Sequence, residues 1–123
     1  MKKGFLKTRQ QHKAMKLLMM LDNPHFTTTQ SLRLINANCG AVKFHRILQR
    51  LNFAAPTNEP WEKGYDFNLP SEYGSPSYAM NHNSFSWTLS GLEFIIEILK
   101  SERIAFDIPK ELSEKLFSLE NKR

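Results

Sequence analysis

TTTQSLRLINANCGAVKFHRILQRL, residues 27–51, is the stretch on which the fold turns. Its opening Thr27-Thr28-Thr29-Gln30 reads as a capping box, in which a Thr hydroxyl accepts from the backbone of a new helix while the Gln30 side chain reaches back to the cap. Leu32, Leu34 and Ile35 make that helix short and half buried. It ends in Asn36-Ala37-Asn38-Cys39-Gly40, where Asn and Gly tolerate the left-handed backbone that a tight helix-to-helix turn needs. A further helix follows from Ala41 to Asn52. At a rotation of roughly 100° per residue, Phe44, Ile47, Leu48 and Leu51 fall in one apolar stripe with Ala41 at its edge. Val42, Lys43, Arg46, Gln49 and Arg50 point the other way. Short helix, turn and helix with a basic outer face is the helix-turn-helix plan, whose last helix enters the major groove. Ala37, Ala41, Val42 and Ile47 also stand where such motifs place small and apolar residues.

Upstream, Ala14, Leu17, Leu18 and Leu21 recur at helical spacing from Thr8 to Leu21, with Met15, Met19 and Met20 widening the stripe. Asp22-Asn23-Pro24 stops this helix, since the residue before proline is pushed out of the helical region. Downstream of Asn52 the texture changes, as Pro56, Pro60, Gly64, Pro70, Gly74 and Pro76 interrupt aromatic and polar residues. Strand candidates there are residues 53–55, 65–69 and 85–89, the last with Phe85, Trp87 and Leu89 alternating against Ser84, Ser86 and Thr88. Residues 68–84 read as one long loop without regular structure, a contact surface or a flap. Because loop closure depends weakly on length, shortening it between Leu69 and Phe85 is expected to spare folding. Ser90-Gly91-Leu92-Glu93 reads as a second capping box, opening a helix from Leu92 to about Glu102 with Phe94, Ile95, Ile98 and Leu99 inward. Pro109 starts a last helix carrying Leu112, Leu116 and Leu119, with Phe117 beside them. The expected fold is α+β: a winged helix-turn-helix with three N-terminal helices, a β-wing and two C-terminal helices. One domain is expected over residues 1–123, with a basic helical half to 52, the wing from 53 to 89 and the C-terminal helices beyond.

The chain has 123 residues, 41% of them hydrophobic, which suits one core. Cys39 is the only cysteine, so no intramolecular disulfide forms and no zinc set is in view; a reducing compartment fits, and the expected location is cytoplasmic. No run approaches the roughly 18 apolar residues of a membrane span, and Lys7, Arg9, Lys13 and Lys16 break up any signal core. Enzyme classes find little support. No Gly-x-Ser-x-Gly elbow is present and the five glycines stand singly, leaving no phosphate-binding loop. His12, His25, His45 and His82 lack metal-ligand spacing, so neither metal nor cofactor is expected.

Charge is the sharper signal. Residues 1–50 hold ten basic side chains against Asp22 alone, a net charge of +9, whereas residues 51–123 hold seven basic against eleven acidic, a net charge of −4. A concentration of positive charge attracts polyanions, because each neutralised phosphate releases condensed counterions. The expected partner is double-stranded DNA. Arg46 and Gln49 are the candidate base readers, since Arg pairs with guanine and Gln with adenine through two hydrogen bonds. Lys43 and Arg50 flank them as phosphate contacts, Val42 meets a thymine methyl, and His45 adds a phosphate or base contact. Lys13 and Lys16 form a backbone clamp on the first helix, and Lys63 a contact on the wing. Trp61 and Trp87 are assigned to the core. Tyr73, Tyr78 and His82, in the polar loop, are assigned to a protein partner.

The segments Phe44-His45-Arg46-Ile47-Leu48-Gln49-Arg50-Leu51, Asn58-Glu59-Pro60-Trp61 leading to Gly64-Tyr65-Asp66-Phe67, and Trp87-Thr88-Leu89-Ser90-Gly91-Leu92-Glu93-Phe94-Ile95 together give residues 27–99 a pattern. It resembles the KilA-C-type C-terminal domain of phage antirepressors. The 123 residues are expected to depart from that family in carrying no separate N-terminal domain, and they depart from it in the length and composition of the wing loop. The resemblance implies a phage or mobile-element regulator whose winged helix binds DNA or, in the rival reading, binds and inhibits or recruits another protein in antirepressor or anti-defence fashion. A homodimer is open under either.

Overall fold

Apolar periodicity and capping chemistry divide the chain where the computed structural model, which describes residues 9–56, 63–77 and 82–121, places its elements. Helices α1 (Arg9–Met20), α2 (Thr28–Leu34) and α3 (Ala41–Arg50) come first. Strands β1 (Ala54–Pro56) and β2 (Lys63–Phe67), a 3₁₀ turn (Ser71–Tyr73), β3 (Gly74–Ser77) and β4 (His82–Trp87) follow, and α4 (Leu89–Ser101) and α5 (Lys110–Asn121) close the chain. The architecture is α+β. Strands run in the order β1-β2-β4-β3, with β1 antiparallel to β2 and β3 antiparallel to β4. A short parallel pairing of Lys63 with His82 and Gly64 with Asn83 joins β2 to β4.

The capping box at Thr27 forms as read: the Gln30 amide donates to Thr27 Oγ1 at 3.0 Å and the Gln30 side chain accepts from the Thr27 amide at 3.0 Å. The second box shifts. Thr88, not Ser90, caps α4, with Oγ1 accepting from the Gly91 amide at 3.1 Å, so the helix begins at Leu89, three residues earlier than expected. The left-handed turn residues also sort themselves. Asn36, Asn52 and Arg103 have positive φ just past the ends of α2, α3 and α4. In each case the next amide reaches back into the helix: Ala37 to the Leu32 carbonyl at 2.9 Å, Phe53 to Leu48 at 2.8 Å and Ile104 to Leu99 at 2.9 Å, the Schellman closure. Gly40 instead takes extended backbone as the N-cap of α3.

One core gathers residues from all five helices and the sheet, with Trp87, Phe26, Phe44, Leu18 and Leu92 among its fully buried side chains. Phe85 and Trp87 lie inside, which confirms the alternation along β4. Trp87 sits at the crossing point. Its ring meets Phe85 at 4.6 Å and Phe44 at 6.2 Å, and its backbone exchanges two hydrogen bonds with Phe26 (2.9 and 2.7 Å) in an isolated bridge. Phe26, between α1 and α2, thereby stitches the helical half to the sheet. Ala14 and Leu18 bury the inner face of α1, but Leu21, expected within that stripe, and Met19 and Met20, expected to widen it, are exposed.

The expectation of a structureless segment from 68 to 84 is corrected. Leu69 packs on the core, Ser71–Tyr73 forms the 3₁₀ turn, and Gly74–Ser77 pairs with β4 from Gly74↔Trp87 to Ser77↔Ser84. Sequence gave no apolar alternation here. Pro76 is tolerated because β3 is an edge strand, whose outer amides need no partner. Gly74 is required: at φ 147° its missing Cβ would stand 2.0 Å from the Ser86 carbonyl oxygen. No described helix is long and apolar enough to cross a membrane.

Candidate nucleic-acid interface

Helix α3 is built by one buried stripe. Phe44, Ile47 and Leu48 are buried, Leu51 packs on the core at its end, and the opposite side is left to water. Val42 is 65% exposed, and Lys43, Arg46 and Gln49 are exposed beside it. Lys43, Arg46 and Gln49 make no side-chain hydrogen bond or ion pair with another described residue. Gly40, the N-cap, offers no side-chain hydrogen bond to the amides of the first turn of α3, and that turn holds no acid. Unsatisfied first-turn amides and the helix dipole make a helix start attractive to anions, and Lys43 adds a full charge there. Nearby, burial pushes the Cys39 thiol up from its ordinary pKa, while Lys43 and Arg33 pull in the opposite direction.

The connection before α3 is braced from three sides. Arg33 Nη2 donates to the Cys39 carbonyl at 2.8 Å, and Gln11 Nε2 donates to Asn36 Oδ1 at 3.0 Å. The Asn38 amide donates to the Ala105 carbonyl at 2.9 Å and the Asp107 amide to Ile35 at 2.7 Å. Residues 35–40 thus form a six-residue link between α2 and α3, longer than the usual three to four residues of a helix-turn-helix turn but held by the chain that follows α4.

Two of the residues expected on the α3 surface are engaged inside the molecule. His45 turns toward α2, with Nε2 2.9 Å from Thr28 Oγ1 and its ring edge on Phe67 at 5.6 Å. Trp87 Nε1 donates to the same Thr28 hydroxyl at 2.9 Å, which leaves that hydroxyl's proton available to a bare His45 Nε2. Burial lowers the His45 pKa and favours this neutral ring. A sequence position one step from the buried stripe hid the role. Arg50 remains exposed, but its guanidinium pairs with Glu102 at the end of α4, so it is committed to a neighbouring helix.

Lys13 and Lys16 are exposed on α1 and stand apart from the α3 set. They line a groove of about 390 Å³ with Leu17, Met20, Leu21 and Gln30, to which no α3 residue contributes. On the sheet, the Cα atoms of Lys63 and His82 are register partners at the start of the β2–β4 pairing. Tyr78 and Trp61 lie outside the described residues. Tyr73, expected to face a partner, is half-buried instead, stacked on Phe94 at 4.7 Å with 21° between the rings. Its carbonyl accepts from the Thr88 amide at 3.0 Å and leaves no room for a Cβ on Gly91, which would stand 2.1 Å away. Among the described residues, no three His, Cys, Asp or Glu side chains converge to hold a metal. Comparison with models of known protein families, with curated proteins and with solved structures found no match to this chain.

Proposed function

We propose that the chain is a DNA-binding regulator of winged helix-turn-helix type, of the kind the KilA-C resemblance implies for phages and mobile elements. In this reading α2 and α3 form the helix-turn-helix, Phe26 stands for the first strand, and the β-hairpins form the wing. The observation that carries it is the outer face of α3. Val42, Lys43, Arg46 and Gln49 line up in solvent on a helix whose other side is wholly spent on the core, with no acid in the first turn. Arg46 and Gln49 read base edges in the major groove, while Lys43 and the open amides at the start of α3 hold a phosphate. The +9 charge of residues 1–50 supports a polyanionic partner.

Fluorescence anisotropy of labelled random duplex DNA, titrated at several salt concentrations, tests the reading. The expected result is measurable affinity whose logarithm falls linearly with the logarithm of salt concentration. No binding to duplex at low salt would overturn it.

A further inference from the structure

Two exposed apolar features lie outside the α3 surface, and their rims carry opposite charge. On α1, Met20 is 69% exposed and joins Leu17 and Leu21 in the groove whose rim bears Lys13 and Lys16. On α5, Phe117 is 66% exposed, with exposed Glu114 and Glu120 three residues before and after it. Helical spacing of three puts these carboxylates on the same side of α5 as the ring. Phe117 also overlooks a shallow groove of about 310 Å³ against α4, where Glu93, Glu97 and Glu120 contribute carboxylates and, among the described residues, no basic one takes part. Glu97 makes a 3.5 Å ion pair with Lys100 in which both side chains remain exposed.

Among the described residues, neither surface is filled by another part of the chain. Among the described residues, those of α1, Leu21 just beyond it and Gln30 of α2 line the α1 groove. Although α1 and α5 touch within one molecule, Phe117 is not seated there. We propose that the occupant is a second copy of this chain: Phe117 of one molecule inserts among Leu17, Met20 and Leu21 of another, with Glu114 and Glu120 meeting Lys13 and Lys16. Both rings of charge would lie at the edge of an apolar contact, the usual anatomy of a protein interface. The two surfaces are complementary in both hydrophobicity and sign, and their pairing is independent of whether α3 reads DNA.

The contact joins two different surfaces, which gives it a distinctive test. Sedimentation velocity over roughly 1 μM to 1 mM protein should show concentration-dependent self-association. Phe117→Asp and Met20→Asp should each weaken it at least tenfold, both sites being exposed enough to spare the fold, as thermal melts would verify. An equimolar mixture of the two variants should associate again, because one retains the groove and the other retains the phenylalanine. The charge arm repeats this with milder changes: Lys16→Glu and Glu120→Lys each weaken association, and mixing them restores it. Monomer throughout the concentration range overturns the proposal. So does association that survives both aspartate variants, or loss in each single variant without recovery on mixing, since a patch that pairs with its own kind cannot be rescued in that way.

Discussion

On α3, Val42, Lys43, Arg46 and Gln49 end in solvent, while in the segment from Ser71 to Ser77 the ring of Tyr73 ends against Phe94 and Gly74 lies against Ser86. Both stretches are polar in composition, and both carry residues suited to a partner. A helix has a second face that packing does not claim, so its polar residues can stay available once the apolar stripe is buried. An edge strand and a 3₁₀ turn are held by their backbones, and Pro, Gly and Ser serve there as structure. Composition therefore missed the regular structure of residues 71–77, whereas helical periodicity placed Val42, Lys43, Arg46 and Gln49 in solvent, where they are found.

The largest expected effect comes from treating the second region as dispensable. Replacing residues 70–84 by a tight turn between Leu69 and Phe85 removes β3, the 3₁₀ turn and the Tyr73–Phe94 stack, together with the first part of β4. The expected outcome is loss of a cooperative thermal melt, a cost comparable with the whole stability of a small domain, about 5 kcal/mol or more. A variant that melted like the parent would restore the expectation that shortening this segment spares folding.

The α3 face is sharpened by Arg46→Ala and Gln49→Ala. Each should leave the melting temperature nearly unchanged and reduce discrimination between a selected duplex and random DNA by about 1–3 kcal/mol. Competition titrations measure this, and equal losses on both DNAs would reassign the two side chains to phosphates.

A smaller effect separates His45 from its exposed neighbours. Burial lowers its pKa in the folded protein, so the neutral ring's contribution is complete above the unfolded value of about 6.5 and is lost as pH falls through the lower folded value. Melting temperatures of the parent should therefore drop more than those of His45→Gln between neutral and mildly acidic pH. Parallel curves would show that the ring is not desolvated. Smallest of all, Arg50→Ala should cost about 1 kcal/mol or less in chemical denaturation, because the Glu102 pair sits at the surface with the Arg50 side chain 57% exposed.

Elements bounded by strong local chemistry were legible from the sequence. The Thr27 box, the α3 stripe and the alternation of Phe85 and Trp87 all rest on interactions within a few residues. What escaped depends on distant partners. Thr88 displaced Ser90 as the cap of α4 because its hydroxyl also donates to the Glu72 carbonyl at 2.6 Å, a residue 16 positions away. His45 was drawn inward by Thr28 and Phe67, and Arg50 by Glu102; none of these pairings leaves a spacing that a one-dimensional reading detects. Of the expected α3 surface, Val42, Lys43, Arg46 and Gln49 stand together in solvent, whereas Lys13 and Lys16 belong to a separate groove.

The bridge between Phe26 and Trp87 has a consequence for the order in which the chain is made. Phe26 leaves the ribosome early, yet its backbone partner is encoded 61 residues later. At 5–20 residues per second, the helical half waits roughly 3–12 s before β4 can fill the space beside Phe44. Through that interval the basic half is in the company of the translating ribosome and its RNA with its core still open on one side. Closure of the helical half onto the sheet is therefore a late event in synthesis, and the core is complete only once α4 and Leu112 of α5 have followed Trp87.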